Sequence, residues 1–179
     1  MNIIESTKLY ENWLQAKTDA QAKLLSKKHE KMADDLFPFI RATFYRWVQR
    51  WRKEYKDLQD RDQDVVLAVG DLHIENFGTW FDSRGQLVWG INDFDEACEL
   101  PFTNDLVRIA TSILLAAEFK EADVSQQGIF GALMAGYTKG IRQGGAPIYL
   151  DDQDEHELVP LVRAARSSVE KFWETRLRE

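Results

Sequence analysis

From residue 65 to residue 97 the chain reads VVLAVGDLHIENFGTWFDSRGQLVWGINDFDEA, and no other stretch constrains the fold as much. Val65–Val69 is short, β-branched and nearly continuously apolar, which predicts a buried strand opening into Gly70-Asp71. Asn76–Phe81 and Gln86–Ile91 flank Asp82-Ser83-Arg84-Gly85, whose Asp, Ser and Gly favour a hairpin turn. The second hairpin strand runs into Asn92-Asp93-Phe94-Asp95. Polar loops thus open at the ends of two apolar runs, where a rigid scaffold can hold exposed chemistry.

The rest reads as helix. Ser6 or Thr7 is the candidate cap of a first helix, and Thr18–Asp35 is a polar, lysine-rich helical stretch. Pro38 suits the first turn of a stronger helix. Along it Phe39, Ile40, Phe44, Trp47, Val48, Trp51, Tyr55 and Leu58 recur at three- and four-residue intervals. Core packing accounts for its tryptophans, with base stacking as the alternative. Thr103 or Asn104 is expected to cap a helix from Asp105 to Phe119 with Leu106, Ile109, Ala110, Ile113, Leu114 and Ala117 on its apolar face. A Gly- and Ala-rich helix from Ser125 to Arg142 should end at Gln143-Gly144-Gly145-Ala146-Pro147, and a charged helix should run from Gln153. The expectation is an α+β fold, mainly helical. An N-terminal helical segment, residues 1–36, precedes a domain over 37–179 whose small β-hairpin sheet carries both loops.

Composition narrows the function. The chain has 179 residues, 44% hydrophobic and 30% charged, enough for one folded domain with a real core. A formal net charge of -7 argues against broad attraction to nucleic acid or anionic lipid. Arg41–Lys56 is basic, but its charges alternate with apolar residues, as on a solvated helix face; a phosphate-binding surface is the alternative. Cys98 is the only cysteine, which excludes an intrachain disulfide and a four-cysteine zinc site; it reads as a small buried filler, or else a reactive thiol. The first thirteen residues lack the pattern of a signal peptide, and Ile109–Ala117 is too short to span a bilayer, so the cytoplasm is expected. The acidic run Asp151–Glu157 reads as a helix N-terminus, or else a cation site. The charged C-terminal helix and the many aromatic residues leave room for a homo-oligomer surface.

Asp71 stands where the first strand opens, and Asn76 lies five residues on, within reach of the same ion or of Asp71 itself. Asp93 ends the hairpin, and Asp95 follows two residues later; a buried Phe94 would turn both carboxylates outward. Should the strand from Val65 lie beside the strand ending at Ile91, then Asp71, Asn76 and Asp93 converge. Two carboxylates and a carboxamide suit Mg²⁺ or Mn²⁺. His73 either positions the loop or makes a structural hydrogen bond within it. His73-Ile74-Glu75 resembles the start of a zinc-deaminase signature, but the required Pro-Cys-x-x-Cys is missing.

Gly70-Asp71-Leu72-His73-Ile74-Glu75-Asn76-Phe77 and Ile91-Asn92-Asp93-Phe94-Asp95 together resemble the catalytic and metal loops of aminoglycoside phosphotransferase and choline kinase-like proteins. More closely, GDLHIENFGTW, GINDFDEA and LPFTNDLVRIATS are similar to a bacterial family, domain of unknown function (DUF) family 2252. The similarity extends back through Met32–Trp51. It implies a protein-kinase-like C-lobe in which Asp71 is the catalytic carboxylate acting on an acceptor hydroxyl, with His73 and Asn76 beside it. It further implies that Asn76 and Asp93 hold Mg²⁺ (or Mn²⁺) on the phosphates of a nucleotide such as ATP, with Asp95 as an additional ligand. Asp105 would brace the catalytic loop through backbone amides, with Gly70 in structural support.

The chain also departs from kinase-like proteins. Val69 stands where many of them place a histidine, and no Gly-rich loop, P-loop or Val-Ala-Ile-Lys-like strand precedes Asp71. Relatives carry a Gly-rich, Lys-containing segment downstream, so the chain is expected to represent the catalytic-loop half. Three readings stay open: a kinase-like phosphotransferase or its catalytic lobe, a metal-dependent phosphate-ester hydrolase, and a non-catalytic binding module.

Overall fold

A reciprocal cap starts the first helix. In the computed structural model, Asn2 accepts from the Glu5 N–H, and the Glu5 carboxylate accepts from the Asn2 N–H, both at 2.9 Å. Helix α1 is Ile3–Lys17, so Asn2 is the cap rather than Ser6 or Thr7. Those two lie inside the helix: Ser6 is buried against Gln49 (2.6 Å) and Thr7 donates to the Ile3 carbonyl (2.9 Å). The structure describes residues 1–19, 21–54, 64–119, 124–150 and 158–160, except the side chains of 52 and 119.

Thr18 is extended, and α2 (Ala22–Asp34) starts four residues later, so the lysine-rich stretch is shorter than expected. The aromatic helix is two helices, not one: α3 (Leu36–Ala42) and α4 (Phe44–Glu54), broken at Thr43. Asp35 caps α3 by accepting from the Phe37 N–H (2.8 Å), and the Thr43 hydroxyl takes the Phe39 carbonyl (2.8 Å). Tyr55, Lys56 and Leu58 lie outside the described residues.

The strands are β1 (Val65–Ala68), β2 (Phe77–Phe81), β3 (Leu87–Ile91), β4 (Cys98–Pro101) and β5 (Ile148–Tyr149). They form two antiparallel sheets, β1-β4 and β2-β3-β5. The partner of β1 is therefore β4, with Val65 opposite Pro101 and Ala68 opposite Cys98; it does not pair with β3. Nor is β1 a buried strand. Val65, Val66 and Leu67 are exposed, because a two-stranded ribbon covers few of its own side chains, and only Ala68 enters the core. The predicted hairpin forms with Phe77 opposite Ile91 and Phe81 opposite Leu87, while Asn76 falls in a 3-10 turn before it. Cys98 is exposed, not a buried filler, and its thiol is pushed up by partial burial and then by Glu96 and Asp105, which disfavours the reactive thiolate.

Helix α5 (Phe102–Phe119) follows β4 directly. It starts a turn earlier than predicted, so Thr103 and Asn104 sit in its first turn instead of capping it. Asn104 is fully buried and accepts from the Trp47 indole N–H at 2.8 Å. Helix α6 (Gln126–Arg142) has no buried residue and ends on Gly144 and Gly145, both at positive φ, where the Gly145 N–H returns to the Gly140 carbonyl (2.9 Å). The acidic run Asp151–Glu157 and most of the helix expected from Gln153 lie outside the described residues. No helix among the described residues is long and apolar enough to cross a membrane.

The fold is α+β and mainly helical, and its contacts divide it into two compact units. One comprises Met1–Ile74 and Asp93–Ala135; the other comprises Glu75–Asn92 and Gly136–Glu179. In the first, Phe44, Ala68 and Leu100 form a core against which Trp47 and Val48 pack. In the second, Leu87, Leu150 and Val159 form a core with Trp89 and Leu158 around it.

Gly70 has φ +86°, and a Cβ there would fall 2.4 Å from the Glu96 carbonyl oxygen. Gly85 has φ +77° but open space around it. Gly85→Ala should therefore cost only the backbone penalty of about 1 kcal/mol, and Gly70→Ala at least about 3 kcal/mol in urea unfolding. Equal losses would contradict the close approach at Gly70.

Candidate active site

A strand that ends in a loop leaves backbone amides without ladder partners, and burying them unpaired is costly. Here α5 supplies the partners. The Asp105 carboxylate accepts from the N–H of Val69 (2.7 Å) and of Gly70 (3.1 Å). One turn on, Arg108 donates through Nε (2.8 Å) and Nη2 to Oδ1 of Asp71. A further turn on, the Ser112 hydroxyl accepts from the Ile74 N–H (3.0 Å) while donating to the Ile109 carbonyl (2.9 Å). Three residues at helical spacing thus hold the loop from 69 to 74 along its length.

Arg108 is 1% exposed. Its Nη2 also donates to the Ile40 carbonyl (2.8 Å), an acceptor that the helix break at Thr43 leaves unpaired. The guanidinium lies over the rings of Trp47 (4.9 Å) and Phe44 (5.1 Å). Burial raises the Asp71 carboxyl above its ordinary range despite the opposing pull of Arg108, and burial lowers the Arg108 guanidinium. Oδ1 of Asp71 carries both arginine bonds, and Oδ2 accepts no hydrogen bond among the described residues.

The loop carrying Asp93 and Asp95 packs on the Asp71 loop through the Gly70–Glu96 approach. Asp93 and Asp95 are within hydrogen-bonding reach of one another, and the Asp95 carboxyl is raised by burial and then by Asp93. Glu96 is raised by burial, then by Asp95 and Asp71. Phe94 is exposed rather than buried between the carboxylates. His73 is buried, meets the Phe37 ring edge-on at 5.8 Å, and is lowered to about 4 by burial, Arg41 and Arg108, with Asp93 opposing. It is neutral at neutral pH. Asn76 is buried in the second unit, where its carbonyl accepts from the Asn92 N–H at 3.0 Å.

Arg108 and Ser112 lie within LPFTNDLVRIATS, but the motif alone assigns them no role. Their signal is present nonetheless: Asp105, Arg108 and Ser112 form a polar line at i, i+3 and i+7 in a helix whose Ile109 and Ala110 are core residues. No group of three or more His, Cys, Asp or Glu side chains poised to hold a metal occurs among the described residues. The donor set still fits a hard divalent cation, because Mg²⁺ takes one or two carboxylates and completes its shell with water and phosphate oxygens.

With this geometry in view, comparison with known proteins places the chain in one family. The model of the family described as "Uncharacterized protein conserved in bacteria (DUF2252)" matches residues 20–179, and the chain belongs to that family. No curated protein and no solved structure matches it.

Asp105→Ala leaves the Val69 and Gly70 amides without their acceptor and should cost about 2–3 kcal/mol in urea unfolding. His73 sets a pH slope. Between its folded value of about 4 and its ordinary 6.5, the unfolded chain binds a proton that the folded chain refuses, so stability falls as pH drops through that window. Relative to His73→Gln, the wild type should lose about 2 kcal/mol from pH 7 to pH 5. Identical slopes would contradict a buried neutral imidazole.

Proposed function

We propose that the loops around Asp71 and Asp93 are the catalytic and metal loops of a phosphotransferase, which moves a phosphoryl group from a Mg²⁺-nucleotide to a hydroxyl acceptor. The observation that carries this reading is the one-sided hold on Asp71. Arg108 fixes Oδ1, Asp105 fixes the backbone before it, and Oδ2 is left to receive a hydroxyl proton. A carboxylate positioned through one oxygen suits a reaction that consists mostly of orientation and charge neutralisation.

The kinase-like resemblance of GDLHIENF and INDFD supports the same roles. Asp93 and Asp95 would hold the cation, and the repulsion from Asp93, which adds to burial in raising Asp95, would be relieved by it. Mg²⁺, when bound, neutralises charge on the transferred phosphoryl group. Neutral His73, buried within the loop against Phe37, offers no charge to the reaction. The buried Arg108–Asp71 pair also favours a second reading, in which Asp71 is structural and the domain is a non-catalytic binding module.

The variant Asp71→Asn separates the two. It keeps an acceptor for Arg108, and the first reading expects Mg²⁺-dependent ATP turnover, assayed over a panel of hydroxyl acceptors, to fall by about 10²–10⁴ with nucleotide affinity nearly unchanged. Turnover by Asp71→Asn at the wild-type rate overturns the phosphotransferase reading. Wild-type turnover should also decline as pH drops through the raised range of the Asp71 carboxyl, because the protonated acid cannot take the hydroxyl proton.

A further inference from the structure

On the side of Arg108 that carries the Trp47 ring, the first unit has a half-open cavity of about 260 Å³. Its lining combines flat aromatic surface from Phe39, Trp47 and Trp51 with the cationic side chains Arg46, Arg50 and Arg108 and one carboxylate, Glu54. The Trp47 and Trp51 rings stack with centroids 6.0 Å apart and 22° between planes. Two of the three cations are already matched: Arg50 by Glu54 and Arg108 by Asp71. Arg46 donates only to neutral acceptors, the Met1 carbonyl, Ser6 and Gln49, so its charge meets no carboxylate among the described residues.

One further group is left over. Arg108 spends Nε and Nη2 on Asp71 and Ile40, while Nη1 is buried with no hydrogen-bond partner. A buried guanidinium N–H without an acceptor is expensive, and this one belongs to a side chain that lines the cavity.

We infer that this cavity binds a small planar aromatic carboxylate, its ring against Trp47 and Trp51 and its carboxylate accepting from Arg108 Nη1 in the positive field of Arg46. The size is suitable, since a cavity of about 150 Å³ takes benzene and this one has room for a bicyclic acid. Phosphate is a poorer match, because its several oxygens need more donors than one free N–H in a largely apolar wall. Nη1 is closed to solvent at rest, so entry must shift the Trp47 ring that covers the guanidinium. Trp47 donates to Asn104, which makes its indole N–H a local reporter.

The test is a titration of the full chain with indole-3-carboxylate and with uncharged indole, followed by the six tryptophan indole N–H resonances. Trp→Phe variants assign the signals. Indole-3-carboxylate should shift Trp47 and Trp51 saturably with a Kd below about 1 mM and bind about tenfold more tightly than indole. Arg46→Gln, a half-buried site outside the Asp71 clamp, should weaken the acid about threefold or more and leave indole unchanged. Arg108→Met should abolish the preference for the acid; where it fails to fold, the Arg46 variant and the indole comparison decide. No saturable shift at about 5 mM acid, equal affinity for acid and indole, or shifts confined to the other four tryptophans would each overturn the inference.

Discussion

One face of α5 takes the backbone and the key side chain of a loop out of solvent's hands, and the rest of the first unit follows from that. Asp105, Arg108 and Ser112 meet Val69, Gly70, Asp71 and Ile74 at successive turns. The match is geometric: about 1.5 Å of rise per residue carries a helix face alongside a loop whose amides would otherwise face nothing. Gly70 is part of the same constraint, because only a residue without Cβ lets the Glu96 carbonyl come so close.

Arg108 carries the cost of this arrangement. An arginine 1% exposed is poorly compensated by a single carboxylate, which is why burial dominates the shifts of both partners. Only one of its other donors reaches past the loop, and Nη1 finds no partner. Nη2 takes the Ile40 carbonyl that the break between α3 and α4 sets free, and the aromatic rings of Phe44 and Trp47 cover the guanidinium. The helix break, the aromatic core and the loop therefore share one side chain. Such a pair contributes little net stability; it specifies where Asp71 points, which agrees with the proposal that Asp71 does chemistry.

Much of this was legible in the chain. The hairpin β2–β3 followed from the Asp, Ser and Gly of Asp82–Gly85 between two strand-like runs, and the Asp82 carboxylate indeed accepts from the Arg84 and Gln86 amides (2.9 and 3.0 Å). Both polar loops could be located from the apolar runs that precede them. The strand β4 could not, because Cys98-Glu99-Leu100-Pro101 is short, charged and ends in proline, so its pairing with β1 depends on tertiary contacts alone. The break at Thr43 was equally hidden. No glycine or proline marks it, and the group that satisfies Ile40 comes from 68 residues away. The role of Arg108 is not legible either, because an arginine within an apolar helix can equally snorkel to the surface until its partner is known.

Native-state hydrogen exchange at Val69, Gly70 and Ile74 tests the central claim most directly. If α5 holds the loop, these three amides exchange as slowly as the amides inside α5, and Asp105→Ala accelerates Val69 and Gly70 while leaving Ile74 protected by Ser112. Exchange of all three in the wild type at the rate of an unstructured peptide would contradict it.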